Sequence, residues 1–448
     1  MKVLQSFVIC LFLSILILPI LFFNFEVGAV SEIDNRKLAE LDFNIEEDKT
    51  ESIEKYINDR IGFRDDMITA YTILNDKLFN KMVHPSYTYG KNGYVFGLGV
   101  TTKESFSDFH VAYADLVKAV QTYCENRGVP FLFVFNPAKP AVYQDMISNG
   151  INYNRDWVKT FFSELDKRGI NYLDNTVTLK KLRSNGIEGF NVKYDANHWN
   201  DTGAFYGSNE ILKNIKIKTP NIHINNINEF NLSQIKKDSL LVSNFPIDED
   251  VPLYSLKEQG YNNIASLYKS MKLDQQFGYF NYYVNAKRQN EGSPKCLVFQ
   301  GSYMNSYGYK YFINAMGEYI AIHDYQNIIN FPYYFNIFKP DCVVLEVAEY
   351  TLNNNYFNYE KMKQIDYNPI YTSCDYISLE INSNNIKIKN QNNSLTTLEY
   401  ITENQYKYVW LDSGEIFDME KSLTGYEVTV ETSKIKELSS INVYAVLY

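Results

Sequence analysis

Three runs of unbroken apolar residues, Phe131 to Phe135, Cys296 to Phe299 and Cys342 to Leu345, constrain this chain more than any other feature. A strand that is apolar at every position has to be covered on both faces, as inside a parallel sheet layered between helices. The intervening segments fit that arrangement. Phe109, Ala112, Tyr113, Leu116, Val117, Val120, Tyr123 and Cys124 trace one helical stripe, closed by Gly128 just before the first run. A second helix-to-strand passage leads from Trp157 through Leu165 into Ile170-Asn171-Tyr172-Leu173-Asp174. The expected fold is α/β, a mostly parallel sheet with helices on both faces.

The two ends of the chain read differently. Phe7 to Phe23 is apolar apart from Ser14 and Pro19. As a helix it spans ~26 Å, close to a hydrocarbon core of roughly 30 Å. An uncleaved anchor over residues 1–25 competes with a signal peptide cleaved near the imperfect Val27-Gly28-Ala29. The anchor is the preferred reading, with Lys2 inside and Glu26 outside. Either way the remainder lies beyond the membrane. Residues 26–95 read as a helical arm in which Met67, Tyr71, Leu74 and Leu78 share one face. The α/β domain covers 96–375, with a weakly periodic insertion at about 219–294. In 376–448 short alternating strands at Ile386–Lys389, Tyr406–Leu411, Tyr426–Val430 and Ile441–Leu447 suggest a small β-sandwich, with Trp410 in its core.

Composition excludes some partners. A net charge of −10 argues against nucleic acid, which needs clustered Lys and Arg. Five cysteines, one of them Cys10 in the apolar N-terminus, show neither metal-ligand spacing nor a disulfide framework. No metal and no cofactor is expected. The aromatic content of 16% suits sugar stacking, but an AT-rich genome also gives a chain rich in Tyr, Asn, Ile and Lys, so it assigns no site.

Two segments carry chemistry. In Tyr194-Asp195-Ala196-Asn197-His198-Trp199 the acid and the imidazole are three residues apart, so the carboxylate can orient the ring. In Phe299-Gln300-Gly301-Ser302-Tyr303 a serine follows a buried strand, where parallel sheets present their ligands and backbone N–H groups can form an oxyanion hole. Serine is a weak nucleophile without a base, so Ser302 needs His198 within reach. Alone, each piece has an ordinary reading, Ser302 as a helix cap and His198 as a structural ring beside Trp199. His323-Asp324 is the rival pair. A metal site from Asp195, His198 and Asp201 lacks a second local histidine.

The order of motifs resembles the alginate O-acetyltransferase (AlgX/AlgJ-type) and DHHW families, permuted members of the SGNH hydrolase superfamily with a flavodoxin-like sheet. Glu32-Ile33-Asp34-Asn35-Arg36-Lys37-Leu38-Ala39 is similar to their "E-x-x-N-R-x-L-A" opening, and Asp59-Arg60-Ile61-Gly62-Phe63-Arg64 to "DRFGFR". Gly90-Lys91-Asn92-Gly93-Tyr94-Val95-Phe96 is similar to "GKDGWLF", and Asn136-Pro137-Ala138-Lys139 to Tyr143 to "P-x-K…Y". The resemblance covers residues 30 to 350. It implies Ser302 as nucleophile, His198 as general base and Asp195 as its orienter. The Ser302 N–H, Asn136 and Asn305 are the oxyanion candidates it suggests, with Tyr303 and Lys139 as further substrate candidates. It also implies an extracytoplasmic acetyltransferase on a cell-surface or secreted polysaccharide, served by a membrane-bound O-acyltransferase. Two residues depart from the pattern. Gly301 stands where the family has Asp, and Asp195 is one residue further from His198 than in the family's D-x-H-W form. An acetyl esterase, a non-catalytic polysaccharide-binding scaffold and a glycosidase stay open as alternatives.

Overall fold

The computed structural model describes residues 2–31, 36–41, 49–84, 86–101, 104–241, 245–273, 279–323, 325–369, 375–435 and 438–448. Residues 32–35 of the first motif, Asp324 and Cys374 lie outside them. Between Phe131 and Ala348 the described residues form nine strands: β1 (Phe131–Asn136), β2 (Tyr172–Asp174), β3 (Phe230–Ser239), β4 (Pro246–Leu256), β5 (Tyr261–Asn263), β6 (Phe280–Asn285), β7 (Lys295–Gln300), β8 (Glu318–His323) and β9 (Cys342–Ala348). Seven of them form the central sheet in the order β2-β1-β9-β7-β8-β6-β5.

The three apolar runs are the inner strands β1, β7 and β9. Every residue of β1 and β9 is buried. From β2 to β8 neighbours are parallel, whereas β6 runs antiparallel to β8 and β5 antiparallel to β6. The sheet is therefore mixed, which corrects the expectation of a mostly parallel one. The antiparallel edge comes from the 219–294 segment. Its half-exposed edge strands lack the continuous apolar signature, which only doubly covered strands carry. The same segment's β3 and β4 pair as a separate long hairpin.

The α-helices longer than five residues are α1 (Lys2–Leu21), α2 (Lys49–Arg60), α3 (Arg64–Phe79), α4 (Asp108–Glu125), α5 (Asp156–Lys167), α6 (Asn175–Ser184), α7 (Asp201–Lys216), α8 (Tyr309–Ala315) and α9 (Phe331–Phe338). Side chains alternate across the strands. Phe131, Phe133 and Phe135 pack with α4, α5 and α9, while Leu132 and Val134 pack with α6, α7 and α8. Two cores thus sandwich the sheet and hold the strand ends that carry the candidate residues.

Outside this body, α1 is long and apolar enough to cross a membrane, and its side chains are exposed almost throughout. Helix α3 forms where its spacing predicts. Its apolar stripe, however, faces outward rather than into a core. Spacing defines a face but not the direction in which it points.

In the C-terminal region β10 (Ile377–Leu379), β11 (Ile386–Gln391), β12 (Leu395–Ile401), β13 (Tyr408–Asp412), β14 (Ile416–Lys421), β15 (Gly425–Glu431) and β16 (Asn442–Val446) form one antiparallel sheet, in the order β10-β16-β13-β14-β15-β12-β11. It closes over a core that includes Leu379, Leu398, Leu411, Phe417 and Val443, as a half-barrel or small sandwich of the kind expected. Trp410 is buried, with Tyr444 and Tyr376 against its ring.

Candidate active site

Strand β7 ends at Gln300, and after Gly301 the chain turns at once into a helix through Ser302. A π-turn over Met304–Gly308 then leads into α8. One-turn π-bulges of this kind recur at functional sites, because they shift side chains around the helix. Here the turn brings Tyr307 under Asp195. Asp195 ends its own loop in the left-handed region, φ 49°, a conformation that Asp tolerates better than most residues.

The three named residues form a chain. His198 Nε2 lies 2.8 Å from Ser302 Oγ, and His198 Nδ1 lies 2.5 Å from Asp195 Oδ1. An ionised carboxylate can only accept, so Nδ1 carries the ring proton and Nε2 accepts from the serine hydroxyl. The Tyr307 hydroxyl donates to Asp195 Oδ2 at 2.8 Å, fixing the second carboxylate oxygen. Trp199 Nε1 donates to the Tyr303 carbonyl at 3.0 Å, joining the histidine segment to the serine segment. Gly97 allows the close approach of Asn197, because a Cβ there would sit 2.2 Å from Asn197 Oδ1.

The segment before Asp195 is pinned by Glu249 of β4. Its carboxylate accepts the backbone N–H groups of Val192, Lys193 and Tyr194 at 2.6, 2.9 and 2.6 Å. Asp201 turns the same way. It accepts from Lys310 Nζ at 2.5 Å and from the Tyr254 N–H at 2.9 Å, and so belongs to the hairpin contact.

Gly301 is occupied by its surroundings. A Cβ there would fall 2.8 Å from the Tyr325 hydroxyl, and the Gly301 N–H donates to Glu346 Oε2 at 2.7 Å. Glu346 is fully buried within β9, two residues before its end, and Asn136 Nδ2 donates to its other oxygen at 2.7 Å. Burial pushes the Glu346 carboxyl up to about 7, against those hydrogen bonds and the nearby His198. The serine turn is thus tied to a buried carboxylate.

The oxyanion and substrate candidates are placed unequally. Asn136 is spent on Glu346 and, through its carbonyl oxygen, on Asn175 Nδ2 at 2.8 Å. Asn305 follows Ser302 on the same turn, its N–H bonded to the Gly301 carbonyl at 3.0 Å. Tyr303 points inward, its hydroxyl donating to the Pro137 carbonyl at 2.8 Å, which corrects its reading as a substrate contact. Lys139 donates to the Val95 and Val192 carbonyls at 2.6 and 2.8 Å. Burial pushes its ammonium down to about 7, so it serves the loop more directly than any ligand. The rival His323 is buried and bonded to the Gln300 carbonyl at 3.0 Å. Among the described residues no cluster of three or more His, Cys, Asp or Glu side chains is arranged to hold a metal.

Three tyrosines at the site carry no local mark in the sequence. The Tyr350 hydroxyl lies 3.1 Å from Ser302 Oγ, and burial raises its phenol so that it stays protonated. The Tyr325 hydroxyl is hydrogen-bonded to Ser302, and Tyr307 holds Asp195. With 38 tyrosines in the chain none stands out, although Glu346 did carry a signal, an acid closing a buried parallel strand. Beside Tyr350 and Asn197 opens a cavity of about 330 Å3, also lined by Tyr153, Trp157 and Tyr356. Its Tyr350 wall is braced by Glu349, which binds Arg155 through both oxygens at 2.8 and 3.0 Å.

Residues 89–271 match the family model described as SGNH hydrolase-like domain, acetyltransferase AlgX, a span that takes in Asp195 and His198 and ends before Ser302. The resemblance read from the motifs stands on that match. No curated protein matches the chain. Among solved structures it is similar to the O-acetyltransferase domain of Pseudomonas putida AlgJ, with 12% identity over 62% of this chain and 98% of that one and a TM-score of 0.42. Bacillus cereus PatB1 gives 12% identity over 59% and 96%, with a TM-score of 0.44. Pseudomonas aeruginosa AlgX gives 12% identity over 81% and 87%, with a TM-score of 0.41.

Proposed function

We propose, from the match over residues 89–271 and the hydrogen-bonded chain at Ser302, that this protein is a membrane-anchored, extracytoplasmic O-acetyltransferase acting on a cell-surface or secreted polysaccharide. The observation that carries the reading is the Ser302–His198–Asp195 arrangement, at hydrogen-bond distance along its whole length. Ser302 Oγ attacks the carbonyl carbon of an acyl donor while its proton passes to His198 Nε2. The Tyr350 hydroxyl is near enough to donate to the oxyanion that develops. Collapse breaks the bond to the leaving group, which takes the proton from the imidazolium and leaves an acyl-serine. A sugar hydroxyl then attacks that ester, gives its proton to Nε2, and Ser302 Oγ departs with it. Asp195 holds the tautomer throughout. Donor supply by a membrane-bound O-acyltransferase is part of the proposal and follows from the family resemblance.

The fit of Gly301 against Tyr325 and Glu346 supports the enzymatic reading over the scaffold. The test is the ester-linked acetyl content of surface polysaccharide in cells carrying Ser302→Ala. Loss of acetyl supports the transferase, a gain indicates an esterase, and unchanged content overturns both. Labelling of wild type but not Ser302→Ala by a serine-directed sulfonyl or phosphonate probe is expected in either enzymatic case.

A further inference from the structure

Helix α3 is built inside out. Its buried residues are Thr72 and Asn75. The Thr72 hydroxyl donates to the Val83 carbonyl at 3.3 Å, and the neighbouring Asp76 accepts from the Tyr89 hydroxyl at 2.5 Å. The large apolar residues face away. Phe63, Met67, Tyr71, Leu74 and Leu78 are between 44 and 65% exposed. At 3.6 residues per turn Met67, Ala70, Tyr71, Leu74 and Leu78 fall inside an arc of about 100°, bordered on one side by Asp66 and Lys77, while Phe63 precedes the helix in the left-handed region, φ 59°. A contiguous apolar face of this kind marks an interaction surface rather than scattered exposure.

What lies next to it indicates what covers it. The C-terminal end of α1 is seated on the elbow between α2 and α3. The Gly62 N–H donates to the Pro19 carbonyl and the Asn24 N–H to the Arg60 carbonyl, both at 2.8 Å. Arg60 Nη1 donates to the Asn24 and Glu26 carbonyls at 3.2 and 2.7 Å. The Phe22 and Phe63 rings lie 5.0 Å apart, and a Cβ at Gly62 would meet Phe22 Cβ at 2.6 Å. The outward stripe of α3 therefore begins where the apolar span of α1 ends.

We propose that α3 lies in the extracytoplasmic membrane–water interface, with its Phe63-Met67-Tyr71-Leu74-Leu78 face at the boundary between acyl chains and headgroups. The occupant of the stripe is lipid, and the inference rests on the anchored reading of α1 given above. An apolar face with polar residues beside it is the arrangement that an in-plane helix presents to the interface. Tyr71 stands at the depth where amphipathic aromatics settle, with Asp66 and Lys77 beside the headgroups. Anchoring by α1 alone would leave the body free to swing. A second contact through α3 sets its orientation, because the short hairpin Tyr87–Tyr89 and Val95–Gly97 that follows packs Gly97 against Asn197, next to His198.

The full-length chain, reconstituted in phosphatidylcholine vesicles containing a minority of phosphatidylglycerol, tests this with Tyr71→Trp and lipids brominated on their acyl chains. Trp157, Trp199 and Trp410 are buried, so wild type supplies the background. The added indole is expected to be quenched by brominated lipid several-fold more than that background and to be shielded from acrylamide. Adding Leu74→Glu is expected to reduce the bromolipid quenching at least threefold while the protein still floats with the vesicles. Quenching that Leu74→Glu leaves unchanged overturns the proposal. So does a chain that floats while the indole is open to acrylamide and untouched by bromine, an outcome that leaves the anchor intact. A chain that does not float overturns the anchor and the proposal together. Cross-linking to a second copy from a photoreactive side chain at 71 overturns the lipid assignment alone.

Discussion

Glu346 sets the protonation balance around Ser302. Its carboxyl is raised from an ordinary value near 4.5 to about 7 by burial, so the folded state takes up its proton more readily than the unfolded chain. Stability contributed by the protonated form is complete below pH 4.5 and is lost as pH rises to 7. Above that the ionised group costs the fold about 3 kcal/mol. In return, a negative charge beside His198 stabilises the imidazolium that forms when Ser302 loses its proton. Glu346→Gln removes the charge at every pH. The difference in unfolding free energy between pH 5 and pH 8, measured by urea denaturation, is expected to shrink by about 3 kcal/mol relative to wild type. Probe acylation of Ser302 at pH 8 is expected to slow about tenfold, with a smaller effect at pH 5, where wild type is also neutral at 346. Equal slowing at both values would reduce Glu346 to a purely structural tie for the Gly301 N–H.

At the scale of elements, the β3–β4 hairpin does what its sequence does not advertise. The 219–294 segment reads as an insertion because edge strands and two-stranded arms are wet on at least one side and carry little apolar periodicity. Inner strands such as β9, dry on both sides, were legible for the opposite reason, and so was the His198 segment, where three-residue spacing by itself puts an acid beside a ring. Long-range ties such as Gly301 to Glu346, or Tyr350 to Ser302, leave no local pattern, because the partners are 45 and 48 residues apart. Glu249 is of that hidden kind. Charge-assisted hydrogen bonds to three consecutive backbone N–H groups hold the approach to Asp195, whose left-handed φ needs support from its surroundings. Glu249→Ala leaves those donors without their acceptor and takes from the buried Lys139 the strongest of its three nearby counter-charges, the others being Asp195 and Glu188. Ser302 acylation is expected to fall roughly ten- to a hundredfold with KM for the probe near wild type, since the loop positions the base and not the ligand. A raised KM with unchanged kcat would place the hairpin in substrate binding instead.

For the whole molecule, the question is whether the C-terminal half-barrel and the α/β body unfold as one. Asp418 of β14 is the joint. Its carboxylate accepts from Arg127 Nη2 at 2.7 Å, from the Tyr123 hydroxyl and from Asn368 Nδ2 at 2.8 Å, and its carbonyl accepts from Asn336 Nδ2 at 2.7 Å. Arg127 stacks over the Tyr123 ring at 3.4 Å, so the pair presents a preformed donor surface from the C-terminal end of α4. Both members of the ion pair are below 10% exposed. Such a pair adds little against an apolar substitute, but removing one partner strands the other and typically costs about 3–5 kcal/mol. Asp418→Ala removes the carboxylate that the Tyr123 hydroxyl, the Asn368 amide and the Arg127 guanidinium share at a closed interface, although Arg127 keeps the Tyr123 and Asn368 carbonyls at 3.1 and 3.3 Å. The half-barrel has its own apolar core, so it survives separation while its docking does not. Wild type is expected to melt in one calorimetric transition and Asp418→Ala in two, with the lower one matched by proteolytic cleavage between the halves. A single transition shifted by less than about 1 kcal/mol would show that apolar contacts alone hold the halves together, as expected if the pair behaves like an exposed surface ion pair.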